Sequence, residues 1–168
     1  MAGGVHDFES TRLILGDVEH VYALRAPQRF AELEGDDTSV LMARFQSGVV
    51  GTFVMSFIMK SLPTACDREV HRLRIDGSLG SLWVDDGQTI HLFTEQGDLF
   101  LGERLVQHDI VVPPEDTFRL EVEHFLTCVC TGQEPQTSGQ VQRRSLEFVL
   151  AAYQSIETQM PVMLSRNW

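Results

Sequence analysis

The order of its patterns places this chain in the α+β class, as an open, mainly antiparallel sheet with helices on one face and the other face available for self-association. Three observations carry the prediction: a short charged helix at the start, a run of strand-like segments punctuated by glycine turns through the middle, and two long stretches of helical period at the end. With 168 residues, the chain has the length of a single domain over 1–168, and roughly 70% of its unfolded surface can be buried without staples.

Asp7 and Glu9 near the start, Leu13, Ile14 and Leu15 near the end, and Gly16 just past it describe a helix over 6–15, with acidic groups at the positive end of the dipole and a glycine stop. Val18 to Arg25 is β-branched and aromatic, which suits a strand. Residues 26–37, with Pro27, Gly35 and Asp36-Asp37, read as an exposed loop. Thr38–Phe45 and Val49–Met59 form a hairpin closed by Gln46-Ser47-Gly48. In its second strand Phe53, Met55, Phe57 and Met59 alternate with Thr52, Val54, Ser56 and Ile58, so both faces ask for cover and a second copy of the chain is the simplest partner for the outer one.

Val70–Asp76, Ser81–Asp85, Thr89–Phe93 and Asp98–Gly102 are short runs separated by Gly77, Gly80, Asp86-Gly87 and Gln96-Gly97, the pattern of a meander. The period then changes. Phe118, Val122, Phe125, Leu126 and Val129 recur at helical spacing after Pro113-Pro114 and Glu115-Asp116, which predicts a helix over about 115–131. Thr137 or Ser138 caps a second helix with a stripe of Leu146, Val149, Leu150, Tyr153 and Ile156, and Val162–Leu164 adds a closing strand.

A net charge of −11 argues against nucleic acid or anionic lipid as partner, since both need a basic surface. No apolar run is long enough to span a bilayer, and no secretory signal pattern precedes the first helix. Cys66, Cys128 and Cys130 are an odd set without C-x-x-C, read as reduced thiols of a cytoplasmic protein, with Cys128 and Cys130 as packing residues. His20, His71, His91, His108 and His124 show neither H-x-H nor H-x-x-x-H spacing, so no metal site is expected. Arg72 and Arg74, beside Asp76, are read as cross-strand ion-pair partners.

Several segments in register resemble the carboxy-terminal domain of the Gfo/Idh/MocA oxidoreductases, the family of glucose-fructose oxidoreductase and inositol dehydrogenase. They are Gly3-Gly4-Val5-His6-Asp7-Phe8-Glu9 through Arg12-Leu13-Ile14-Leu15-Gly16, Val21-Tyr22-Ala23, and Asp37-Thr38 with Arg44 to Thr52. To these are added Ile75 to Leu82, and Glu123-His124-Phe125 through Thr131-Gly132, Pro135 and Ser138. The resemblance implies an NAD(P)-dependent oxidoreductase of sugars or polyols and a sheet face that mediates a homodimer or higher oligomer. It also implies that His6 stands at the substrate and moves the hydroxyl proton, a task suited to imidazole near neutral pH. Asp7, Glu9 and Arg12 are the accompanying substrate-binding candidates, weighed against ordinary first-turn charges and a solvated arginine.

The departures are equally specific. Ala2 stands where many members carry an aspartate four residues before the histidine, and Glu9 where aspartate is common. None of the 13 glycines forms G-x-G-x-x-G after a strand, and Lys60, followed by Ser61-Leu62-Pro63, does not match the family's E-K-P lysine. The expectation is a chain with no cofactor site of its own and no dehydrogenase activity alone. Its NAD(P)-binding Rossmann part would be separate or missing, and the alternative is a non-catalytic homodimeric module with a regulatory or structural role.

Overall fold

The computed structural model describes residues 4–58, 73–84, 88–95 and 105–165. It is an α+β fold, with elements in the order α1 (Val5–Leu15), β1 (Val18–Arg25), β2 (Thr38–Phe45), β3 (Val50–Ser56), β4 (Leu73–Gly77), β5 (Gly80–Val84), β6 (Thr89–Glu95), β7 (Leu105–Val111), α2 (Thr117–Thr131), α3 (Gly139–Thr158) and β8 (Val162–Met163). The strands pair as two four-stranded antiparallel sheets, β3-β2-β1-β8 and β4-β5-β6-β7. Two compact units result, one within Met1–Lys60 and Thr127–Trp168 and the other within Ser61–Leu126.

In the first unit α3 packs against β1, and α1 packs against α3. Along β2 the inward residues Ser39, Leu41, Ala43 and Phe45 alternate with exposed Val40, Met42 and Arg44, the period-2 signature of a strand with one covered face. In β1 both Val18 and Val21 are buried although they are three apart, because the register with β2 shifts between Val18 and His20 and this bulge resets the alternation. Phe8, Phe53 and Phe148 form the centre of the core, with ring centroids 4.4 Å apart for Phe8–Phe148, 5.2 Å for Phe8–Phe53 and 5.6 Å for Phe53–Phe148. Gly48, at φ 88°, completes the three-residue turn between β2 and β3, where a side chain would be strained.

Three residues of the predicted stripe of α3 face the core, Val149 buried within it and Tyr153 and Ile156 packed against it, while the other two do not. Ser145, Phe148, Val149, Ala151, Ala152 and Ser155 are buried, whereas Leu146 and Leu150 are exposed. The contact face combines Phe148 and Val149 with small residues on either side, so it is not marked by large apolar residues alone. Ser138 caps α3 by accepting the Val141 N–H.

In the second unit, Gly77 pairs with Gly80 around a two-residue turn, and the four strands run as a meander. The Asp98–Gly102 strand expectation lies outside the described residues; the fourth strand of the meander is Leu105–Val111. Arg74 pairs with Asp76 of its own strand at 3.0 Å, not across the sheet, and Arg72 lies outside the described residues, as does Cys66. Helix α2 forms as predicted, with the Asp116 carboxylate accepting the Arg119 N–H at 3.1 Å, but its apolar stripe is exposed, Phe118 by 80%. Cys128 on this helix is buried; Cys130 is exposed, a correction to its reading as a packing residue. Phe57, beyond the end of β3, is likewise exposed.

Candidate functional site at the first helix

Helix α1 has two chemically different faces. Its inner face carries Phe8, fully buried, and Thr11, whose hydroxyl donates to the Asp7 carbonyl at 2.6 Å. His6, Ser10 and Leu13 share the outer face at i, i+4 and i+7, and all three are exposed. His6 makes no hydrogen bond or ion pair among the described residues, and Leu13 and Ile14, about two turns farther along the helix, are 75% and 56% exposed. The helix ends at Gly16, which has φ 88° and donates its N–H to the Arg12 carbonyl at 2.9 Å.

Between the two faces runs a polar network. Arg12, with only 11% of its side chain exposed, donates from Nε to Ser145 Oγ at 3.2 Å and from Nη1 to Asp17 Oδ1 at 2.9 Å. Its Nη2 donates to Glu9 Oε2 at 3.3 Å and to the Val141 carbonyl at 3.2 Å. Glu9 also accepts from Gln142 Nε2 at 3.1 Å and from the Ser145 hydroxyl. Asp17 in turn accepts from Arg144 Nη1 at 2.7 Å. The void at this network, lined by Arg12, Asp17 and Arg144 among others, is about 10 Å³, room for about one water and no sugar.

The candidates therefore separate. His6 faces outward, while Glu9 and Arg12, expected to hold substrate, are turned into α3. Asp7 is half-buried one position along from His6. Asp17, Gln142, Arg144 and Ser145 belong to this arrangement and were not singled out by sequence, because their partners lie up to 136 positions away.

A second polar group ties down the loop 26–37. Asp37 is buried and its carboxylate accepts the backbone N–H groups of Arg29 and of Phe30, the latter at 3.0 Å, which holds its pKa below the ordinary value. Burial, followed by the hydrogen bond and charge of Asp36, pushes the Tyr153 hydroxyl up to about 12. Arg25, Pro27, Gln28 and Asp36 line an adjacent open cavity of about 240 Å³.

Among the described residues every strand pairing is antiparallel, so the parallel strand-helix-strand crevice of a dinucleotide-binding fold is not found among them. Nor does any group of three or more His, Cys, Asp or Glu among them converge as a metal site. No described helix is long and apolar enough to cross a membrane.

This α+β fold carries an outward-facing imidazole on its first helix, with exposed Leu13 and Ile14 farther along the same helix. The chain belongs to the Gfo/Idh/MocA oxidoreductase family, matching the description "Oxidoreductase family, C-terminal alpha/beta domain" over residues 1–164. It is 28% identical over 166 residues to a myo-inositol 2-dehydrogenase of Thermotoga maritima, covering 95% of this chain and 47% of that enzyme. It is 22% identical to a D-apiose dehydrogenase of Paraburkholderia graminis, covering 90% and 41%. An oxidoreductase from Agrobacterium radiobacter, solved in complex with NAD+, L-tartaric acid and magnesium, has the same fold at TM-score 0.80 and 22% identity, over 95% of this chain and 47% of that one. The chain thus spans less than half the length of these three relatives.

Proposed function

We propose that this chain is the substrate-facing, self-associating part of an NAD(P)-dependent sugar or polyol oxidoreductase, working in the cytoplasm and inactive without a nucleotide-binding part. The observation that carries the reading is the placement of His6: in a chain of this family, the one candidate imidazole stands on the face of α1 turned away from the core. There it can hold the proton of a substrate hydroxyl and pass it on near neutral pH. Asp7, adjacent on the same turn, is the carboxylate for substrate hydroxyls. The exposed Leu13 and Ile14, two turns along the helix from His6, give the nucleotide-binding part an apolar seat.

Self-association rests on the outer face of the first sheet. Leu24, Val40 and Val54 lie in one cross-strand row, with Met42 and Val50 alongside, and all five are exposed. A second copy laid on this face buries them by a two-fold interface. The same face supports the second reading, a non-catalytic homodimer with a regulatory or structural role, since it needs no histidine.

One experiment with two arms decides between them. Thermal shift of the chain against inositols and sugars is expected to show a stabilised wild type and a lost response in His6→Ala; an equal response in both ends the acid/base reading. Sedimentation of Val54→Arg is expected to show monomer where the wild type is a dimer, and a wild-type monomer at micromolar concentration ends the sheet-face interface.

A further inference from the structure

Arg12 and Glu9 carry the charge and the register to bind a ligand, yet both are committed to α3. The four ionic groups alternate in sign, Glu9, Arg12, Asp17, Arg144, and link α1, the α1–β1 connection and the first half of α3. Two hydrogen bonds on Glu9 come from α3, through Gln142 and Ser145. The Arg12 guanidinium reaches four separate acceptors, a distribution that a planar fork of donors provides and a single ammonium does not.

We propose that Glu9 and Arg12 are positioning residues, which fix the rotation of α1 about its own axis and so set where His6 points. The inference rests on the reading of His6 as the acid/base. Apolar contact on α1 comes from fully buried Phe8 and from Val5 and Leu15, partly buried against the core, and none of these contacts is directional. Directional bonds at Glu9 and Arg12, one turn apart on a flank of the same face, supply the missing constraint. With the network closed, both side chains are largely covered, Arg12 with 11% and Glu9 with 19% exposed, and their polar atoms are engaged by protein partners.

The test uses the full 168-residue chain and needs neither ligand nor turnover. Amide hydrogen exchange over Val5–Leu15 is measured together with the ring 15N–1H signal of His6, for wild type, Arg12→Met, Arg12→Lys and Ser145→Ala. Arg12→Met is expected to exchange about tenfold faster across α1 while β1 and β2 keep their protection. In the same variant the His6 ring signal shifts or broadens, which a merely structural contribution to the core would not produce. Arg12→Lys, with the charge but without the fork, restores less than half of the lost protection.

Should Arg12→Met fail to fold, Ser145→Ala, which removes one contact to each of Arg12 and Glu9, is read in the same way. The proposal is overturned by α1 exchange within about twofold of wild type, by equal acceleration in β1 and β2, or by full rescue with Arg12→Lys. A His6→Ala variant that still responds to polyols would end the acid/base reading while leaving these readouts intact, so the two failures are distinguishable.

Discussion

The two sheets are built from similar strands and end in different states. In β3-β2-β1-β8 one face is closed, with Val21, Ala23 and Leu41 fully buried; in β4-β5-β6-β7 none of the side chains described over 73–84, 88–94 and 107–111 is buried. The second sheet alternates as strictly as the first, with Leu73, Ile75, Leu82, Val84, Ile90 and Leu92 on one face and Arg74, Asp76, Ser81, Trp83, His91 and Phe93 on the other. What separates them is α3, whose Ser145, Ala151, Ala152 and Ser155 bring a helix onto the first sheet without large side chains in the way. Alternation makes a strand able to bury a face; a core appears only where something covers that face.

The sharpest way to break the comparison is to open the covered face. Phe148→Ala removes the ring that touches both Phe8 and Phe53, and the expected loss is about 3–5 kcal/mol in a urea denaturation followed by far-UV circular dichroism. A loss below about 1 kcal/mol would mean that the sheet is not closed by this helix.

A smaller effect is expected where the sheet runs out. Strand β8 pairs only with His20 and Val21, so the Ala23 N–H lies past its end; it donates to Ser155 Oγ at 3.0 Å, and that hydroxyl donates to the Met160 carbonyl at 2.7 Å. Ser155→Ala strands a buried N–H and is expected to cost about 1–3 kcal/mol, whereas Ser155→Thr, if its methyl is accommodated, restores much of it. Unchanged stability in Ser155→Ala would show that the edge finds another acceptor.

Sequence carried most of this fold, because its elements are long and their boundaries chemically marked. Gly16 ends α1, Gln46-Ser47-Gly48 closes the hairpin, and Ser138 caps α3. The face of α3 was legible in part: Val149, Tyr153 and Ile156 face the core as their spacing implies, but Ser145, Ala151, Ala152 and Ser155 share that face while the larger Leu146 and Leu150 are exposed. Strand β7 was missed because Gln107-His108-Asp109 breaks the apolar alternation; the pairing of Ile90 with Ile110 and the His91–Asp109 contact at 2.8 Å become visible only once β6 is beside it. At the site, His6 could be picked out from its register in the motif. The partners of Glu9 and Arg12 could not, as no local pattern announces a bond across more than 130 residues.

The smallest expected effect sharpens the comparison from the side of the second sheet. Trp83 lies across from His91 and stacks on it at 5.3 Å and on Phe93 at 5.0 Å, on the same face as the Arg74–Asp76 pair. These are cross-strand contacts between half-covered side chains, so Trp83→Ala is expected to lose about 1 kcal/mol, and Trp83→Phe, which keeps a stacked ring, less than half of that. Denaturation followed by circular dichroism measures both. If Trp83→Ala cost as much as Phe148→Ala, the second sheet would hold a core of its own, and coverage by a helix would no longer be what distinguishes the two.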